Sequence, residues 1–95
     1  MSKSRKHLFI KGRVQGVFFR ATMQDVAHAN SVTGWVKNNY DGSVEAVLEG
    51  EIENIEKVAR WCRTGPRGAY VSEVNVKTED YTGSFSTFSI SFDRW

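Results

Sequence analysis

The sequence predicts an α+β sandwich in which two helices cover one face of an antiparallel sheet. Three observations point there. Two stretches repeat apolar residues at helical spacing, several others alternate them at strand spacing, and an Asp-Gly pair joins two of the alternating runs. At 95 residues the chain is expected to form a single domain over residues 1–95, because so small a volume does not hold two cores.

The elements follow in order. Leu8-Phe9-Ile10 is strand-like. Phe19, Met23, Val26, Ala27 and Asn30 recur at helical spacing, so residues 20–30 form an amphipathic helix. Thr33–Asn38 reads as a strand, and so do residues 43–49, where Val44, Ala46 and Leu48 alternate with Glu45 and Glu49. Their link, Asn39-Tyr40-Asp41-Gly42, ends in two residues that tolerate positive φ and so signals a hairpin. Residues 51–63 form the second helix. Ile52, Ile55, Ala59 and Cys62 line one stripe, acids crowd the first turn, Arg60 and Arg63 lie in the last, and Gly65-Pro66 stops it. Residues 70–78 alternate around Val74 and Val76, residues 79–84 turn the chain, and a final strand points Phe88, Ile90 and Phe92 inward. The order β-α-β-β-α-β, with room for one more strand pairing near the end, is that of a ferredoxin-like sandwich. That architecture hosts many activities, so function has to be read from a site.

Composition narrows the classes. With 40% hydrophobic and 25% charged residues the chain has the balance of an ordinary globular protein. A formal net charge of +2 does not demand nucleic acid, which leaves a clustered basic stripe. The one basic cluster, Lys3, Arg5 and Lys6, reads as solvated charge on a flexible tail over residues 1–6. No apolar run approaches the roughly 20 residues of a membrane span, and the N-terminus lacks the apolar core of a signal peptide. Cys62 is the only cysteine, which excludes an internal disulfide and a cysteine metal cage. These features suit a cytoplasmic protein.

The stretch Gly12-Arg13-Val14-Gln15-Gly16-Val17-Phe18-Phe19-Arg20 is the most informative about function. Its glycines let the backbone curl, it contains no Asp or Glu, and it leads into a helix with no Ser, Thr, Asp or Asn before Ala21 to cap it. Amides at such an entry lack intrahelical acceptors and are suited to an oxyanion, with phosphate the expected guest. Arg20, where loop becomes helix, could fork two hydrogen bonds onto that phosphate. A lone arginine is more often a solvated surface group, but the glycine loop and the uncapped helix reverse those odds. Asn38 closes the strand before the hairpin, and its amide could orient a water without taking its proton. Alone it would read as a turn asparagine, a role that Asn39 already fills.

Other polar and aromatic residues have plainer readings. His7 and His28 have no second histidine at ligand spacing, so no metal is expected. Cys62 on an apolar helix face is a buried inert thiol, and Gln15 braces the loop through backbone groups. Trp35, Trp61 and Phe18-Phe19 read as core, and Asp25 as a surface charge. An anion cradle, one arginine and one amide, with no evident nucleophile, metal or tuned base, could not easily cleave a stable phosphomonoester but could hydrolyse an intrinsically labile one.

The chain resembles the acylphosphatase family. Residues 12–20 are similar to its first signature, and Gly34-Trp35-Val36-Lys37-Asn38-Asn39-Tyr40-Asp41-Gly42-Ser43-Val44 followed by Gly50 to its second. Element order, length and the Gly65-Pro66 break agree as well, while Arg67-Gly68-Ala69-Tyr70 is a looser match. The resemblance implies hydrolysis of a carboxyl-phosphate anhydride to carboxylate and orthophosphate, with no metal or cofactor. By position it puts the phosphate-binding arginine at Arg20, the water-orienting asparagine at Asn38, and the phosphate-binding loop at Gln15, Gly16, Val17, Phe18, Phe19 and Arg20. The expected partner is a small-molecule acyl phosphate, met by a monomer without nucleic acid or membrane.

Two other readings compete. RNA-recognition domains share the element order, but they carry stacking aromatics on the third strand, and residues 43–49 here have none and bear two acids. An accessory domain of a larger machine, as in hydrogenase maturation proteins, would keep the loop. The chain's end at Trp95, just after the last strand, favours an independent enzyme.

Overall fold

β1 runs Lys3–Arg13, several residues longer than its apolar run suggests. The computed structural model describes residues 2–92, so Met1 and residues 93–95 lie outside it. Around β1 the other elements are α1 (Phe19–Ala29), β2 (Thr33–Asn38), β3 (Val44–Glu51), α2 (Ile52–Cys62), β4 (Tyr70–Glu79) and β5 (Phe88–Ile90). The sheet order is β4-β1-β3-β2-β5.

The early start of β1 corrects the expected tail. Of residues 1–6, Met1 is outside the described range, Ser2 accepts a hydrogen bond from the Ile52 amide, and residues 3–6 pair with β3, from Lys3↔Glu51 to Lys6↔Leu48. Arg5 of the basic cluster is held because acids on both neighbouring strands face it. Arg5 donates from Nε to Glu79 Oε1 at 2.8 Å and from Nη1 to Glu49 Oε2 at 3.1 Å.

Strand alternation sorts the sheet into two faces. Leu8 and Ile10 of β1, Val36 of β2, Val44, Ala46 and Leu48 of β3 and Phe88 of β5 join Met23 and Ala27 of α1 and Ile55, Val58 and Cys62 of α2 in one buried cluster. Both helices therefore cover a single face, as the ferredoxin-like reading requires. The opposite face carries Arg5, His7, Trp35, Glu45 and Glu49. There His7 sits between two acids, Nε2 at 2.6 Å from Glu45 Oε2 and Nδ1 at 2.9 Å from Glu79 Oε2.

The sheet is mixed rather than wholly antiparallel. β1–β3, β1–β4 and β2–β3 are antiparallel, whereas β5 runs parallel to β2, with Gly34↔Phe88 and Val36↔Ile90 in register. The chain must cross from the β4 edge to the β5 edge, and residues 80–87 make that passage. Glu49, with no exposed surface, anchors them. It accepts hydrogen bonds from the Thr82 amide and hydroxyl and from the Gly83 amide.

The final strand is shorter than expected, and Phe92 does not point inward. Phe88 is buried and Ile90 packs against the core, but Phe92 is 79% exposed. The pairing with β2 ends at Ile90, and one further bond, from the Ser91 amide to Val36 O at 2.8 Å, closes the ladder before the chain leaves the sheet.

Candidate active site

Between β1 and α1, residues 14–18 bend sharply. Val14 is buried, Gly16 takes φ 75° and Phe18 takes φ 62°, so the backbone enters the left-handed region twice within three residues. Phe18 is the N-cap of α1, and no side chain caps it. Thr22 closes the first turn, donating both its amide, at 3.0 Å, and its hydroxyl, at 2.9 Å, to Phe18 O. Phe19 fixes the start of α1 from inside, its ring centroid 5.1 Å from that of Trp61. It also lies against Gly65, where an added Cβ would come within 2.6 Å of the ring.

The consequence is a set of free donors. Among the described residues, none accepts a hydrogen bond from the backbone amides of Gln15, Gly16, Val17, Phe18, Phe19 or Arg20. The first turn of α1 holds no acid, so its positive dipole end is not neutralised locally. Arg20 makes no ion pair with any described residue, and its guanidinium carbon lies 5.2 Å from the centre of the Phe92 ring, a cation–π arrangement.

Asn38 reaches the same place from β2. It lies on the helix-covered face, is 5% exposed, and accepts or donates no side-chain hydrogen bond among the described residues. One cleft of about 400 Å³ is bordered by Gly16, Arg20 and Asn38 on its polar side and by Val14, Phe18, Ile90 and Phe92 on its apolar side. Gln15 ties the two polar sources together. Its side-chain amide donates to Asn39 O at 2.7 Å and to Ser43 O at 2.9 Å, which is the bracing role its position suggested.

An uncapped helix entry with an arginine and an amide on one cleft is the arrangement that the two signatures imply. The sequence pattern described as Acylphosphatase matches residues 6–90. The chain belongs to the acylphosphatase family. A curated acylphosphatase of Pelotomaculum thermopropionicum is 52% identical over 92 residues, covering 97% of this chain and all of that one. Among solved structures, an acylphosphatase from Coxiella burnetii has a TM-score of 0.89 at 37% identity, over 94% of this chain and 93% of its own. The Bacillus subtilis acylphosphatase has a TM-score of 0.90 at 30% identity, over 94% and 99%. With membership of the acylphosphatase family comes the reaction class, hydrolysis of acyl phosphates.

Several residues of this acylphosphatase chain differ from their sequence reading. Phe18 is 81% exposed rather than core, because the left-handed turn throws its side chain outward. Trp35 is half-buried on the helix-free face, where Lys37 Nζ lies 5.2 Å from its ring centre. Phe19 and Trp61 do pack inward. Cys62 is fully buried beside Met23, and burial pushes its thiol pKa far up, leaving it unreactive as expected. His28 and Gln24 turn toward β5, with Nε2 of each 3.1 Å from Phe88 O. Asp25 is exposed, and no group of His, Cys, Asp or Glu among the described residues is arranged to hold a metal. No described helix is long and apolar enough to cross a membrane. The sequence reading missed Ile90 and Phe92 as cleft residues, since period-two alternation assigned both to the core.

Proposed function

We propose that Arg20 and the amides of residues 15–20 bind the phosphate of an acyl phosphate while Asn38 orients the attacking water. The observation that carries this reading is the convergence on one cleft of donors that the fold itself does not use. Those donors offset charge on the phosphoryl oxygens as the bond to the carboxylate oxygen breaks. Water attacks phosphorus, the breaking P–O bond leaves its electron pair on the carboxylate, and a substrate phosphoryl oxygen accepts the water's proton. A carboxylate is a good leaving group, so the reaction requires no enzyme acid. Positioning and preorganised charge supply the acceleration, without metal or cofactor.

The test is turnover of benzoyl phosphate in excess chelator, beside a stable phosphomonoester as control. Hydrolysis of the anhydride alone, with no enzyme base in the pH–rate profile near neutrality, supports the reading. A titrating base near pH 7 contradicts the substrate-assisted step. A folded protein that turns over neither compound gives preference to an accessory domain that binds the anion without using it. We further propose a monomeric cytoplasmic enzyme with no nucleic-acid or membrane partner. Light scattering and titration with single-stranded RNA check the oligomeric state and the nucleic-acid claim.

A further inference from the structure

Asn38 borders the cleft, but no side-chain hydrogen bond among the described residues holds its amide, so its place is set by its backbone. That backbone is pinned at the next residue. The Asn39 amide donates to Ser43 O at 2.9 Å, and the Asn39 side chain reaches the helix-free face of the sheet. There Nδ2 donates to Ser43 Oγ at 3.1 Å and to Glu45 Oε1 at 3.2 Å. The carboxylate also decides which way the Asn39 amide is turned, since only its NH2 end can face an acceptor. Asn39 Oδ1 is left buried without a partner among the described residues, a cost that the charge-assisted bond to Glu45 offsets.

Glu45 is fixed in turn from its other side. His7 Nε2 lies 2.6 Å from Glu45 Oε2, and Lys37 Nζ lies 3.8 Å from Oε1. His7 is itself held at Nδ1 by Glu79 Oε2, and Arg5 bonds the other oxygen of Glu79. A ladder of charged groups thus crosses four strands, from Lys37 of β2 through Glu45 of β3 and His7 of β1 to Glu79 of β4. One end of it grips the residue after Asn38, on the face of the sheet that the cleft does not use.

We propose that Glu45 is a positioning residue for hydrolysis, holding Asn39 and through it Asn38, with His7 steadying the carboxylate. The proposal rests on the water-orienting role given to Asn38 above. Among the described residues no hydrogen bond links Glu45 to the loop amides or to Arg20. Its effect therefore falls on kcat and spares phosphate binding.

The experiment measures kcat and KM for benzoyl phosphate, and inhibition by inorganic phosphate, with folding checked by circular dichroism. The variants are Glu45→Thr, Glu45→Gln, Asn39→Ala, the double Glu45→Thr/Asn39→Ala, and Asn38→Ala. Threonine suits a strand but is too short to reach Asn39, whereas glutamine keeps an acceptor for it. Glu45→Thr is expected to lose kcat about tenfold while phosphate inhibition stays within about twofold of the wild type. Glu45→Gln should recover most of that loss. Adding Glu45→Thr to Asn39→Ala should lower kcat no further, since both changes cut one link.

Unchanged kcat in folded Glu45→Thr overturns the proposal, and so does a parallel loss of kcat and phosphate affinity, the mark of a generally loosened site. Glu45→Gln no better than Glu45→Thr, or losses that multiply in the double variant, overturn it as well. If Glu45→Thr does not fold, Asn39→Ala cuts the same link from the other end, and unchanged kcat there is equally fatal. Loss of kcat in Asn38→Ala with none in Glu45→Thr removes this proposal alone. Full kcat in folded Asn38→Ala, or no turnover by the wild type, removes the reading beneath it and this proposal with it.

Discussion

Gln15 joins the loop to the hairpin through Asn39: its side-chain amide reaches Asn39 O at 2.7 Å, and Ser43 O at 2.9 Å by its second hydrogen. Asn39 directly follows Asn38, and Ser43 O also accepts the Asn39 amide at 2.9 Å. One side chain therefore ties the two halves of the cleft together. Gln15→Ala is expected to lower kcat/KM roughly tenfold, since small misplacements of positioned groups are costly. It should cost about 1 kcal/mol of stability for the lost hydrogen bonds. Steady-state kinetics beside urea unfolding check both, and full activity in the variant would show that the brace is dispensable.

Glu49 should govern acid stability. Burial pushes its pKa up, but the bonds from Thr82, Arg5 and Gly83 outweigh burial and hold it below its ordinary value of 4.5. A depressed folded-state pKa means the unfolded chain binds more protons in acid. The stabilisation is thus complete above about pH 4.5 and lost as pH falls through the folded value. Glu79 shifts the same way, through its hydrogen bonds from Arg5 and His7. Glu49→Gln is expected to cost about 2 kcal/mol near neutrality, because Arg5 loses a buried charged partner. The variant's Tm should also depend less steeply on pH between 5 and 3 than the wild type's. Parallel Tm curves would contradict this.

Two glycines should respond very differently to the same substitution. At Gly16 an added Cβ meets nothing within 4 Å, so Gly16→Ala carries only the strain of a left-handed backbone at φ 75°, about 1 kcal/mol. At Gly34, φ 135°, the Cβ would sit 1.9 Å from Val47 O in the centre of the sheet. Gly34→Ala is expected to cost about 3 kcal/mol or more through forced separation of β2 and β3. Thermal unfolding of the two variants checks the contrast, and equal losses would contradict it.

How much of this was legible in the sequence depends on where each determinant lies. The helices and the hairpin were local. The apolar stripe of α2 and the Asp41-Gly42 turn carry their own signals, and Ser43 bonds back to Asp41 Oδ1 through amide and hydroxyl. The start of β1 was not local. Lys3, Arg5 and Lys6 resemble a solvated tail until Glu49 and Glu79, far along the chain, are set beside Arg5. The parallel pairing of β5 was equally hidden, since it depends on where residues 80–87 are anchored. At the site, the free amides, Arg20 and Asn38 followed from residue types and order. The outward throw of Phe18 followed from its left-handed backbone, and the placing of Phe92 beside Arg20 from a contact between distant parts of the chain, neither of which residue identity alone revealed.

The roles of Arg20 and Asn38 separate in a comparison of Arg20→Ala and Asn38→Ala on benzoyl phosphate, with inorganic phosphate as competitive inhibitor. The expected result is a division of labour. Arg20→Ala loses phosphate affinity and activity together, because the guanidinium holds the phosphoryl oxygens in ground and transition states alike. Asn38→Ala keeps phosphate inhibition close to that of the wild type and loses kcat by roughly a hundredfold or more, as expected for a group that acts on the water. Near-normal kcat in folded Asn38→Ala, or unchanged phosphate inhibition in Arg20→Ala, would contradict the roles assigned to them.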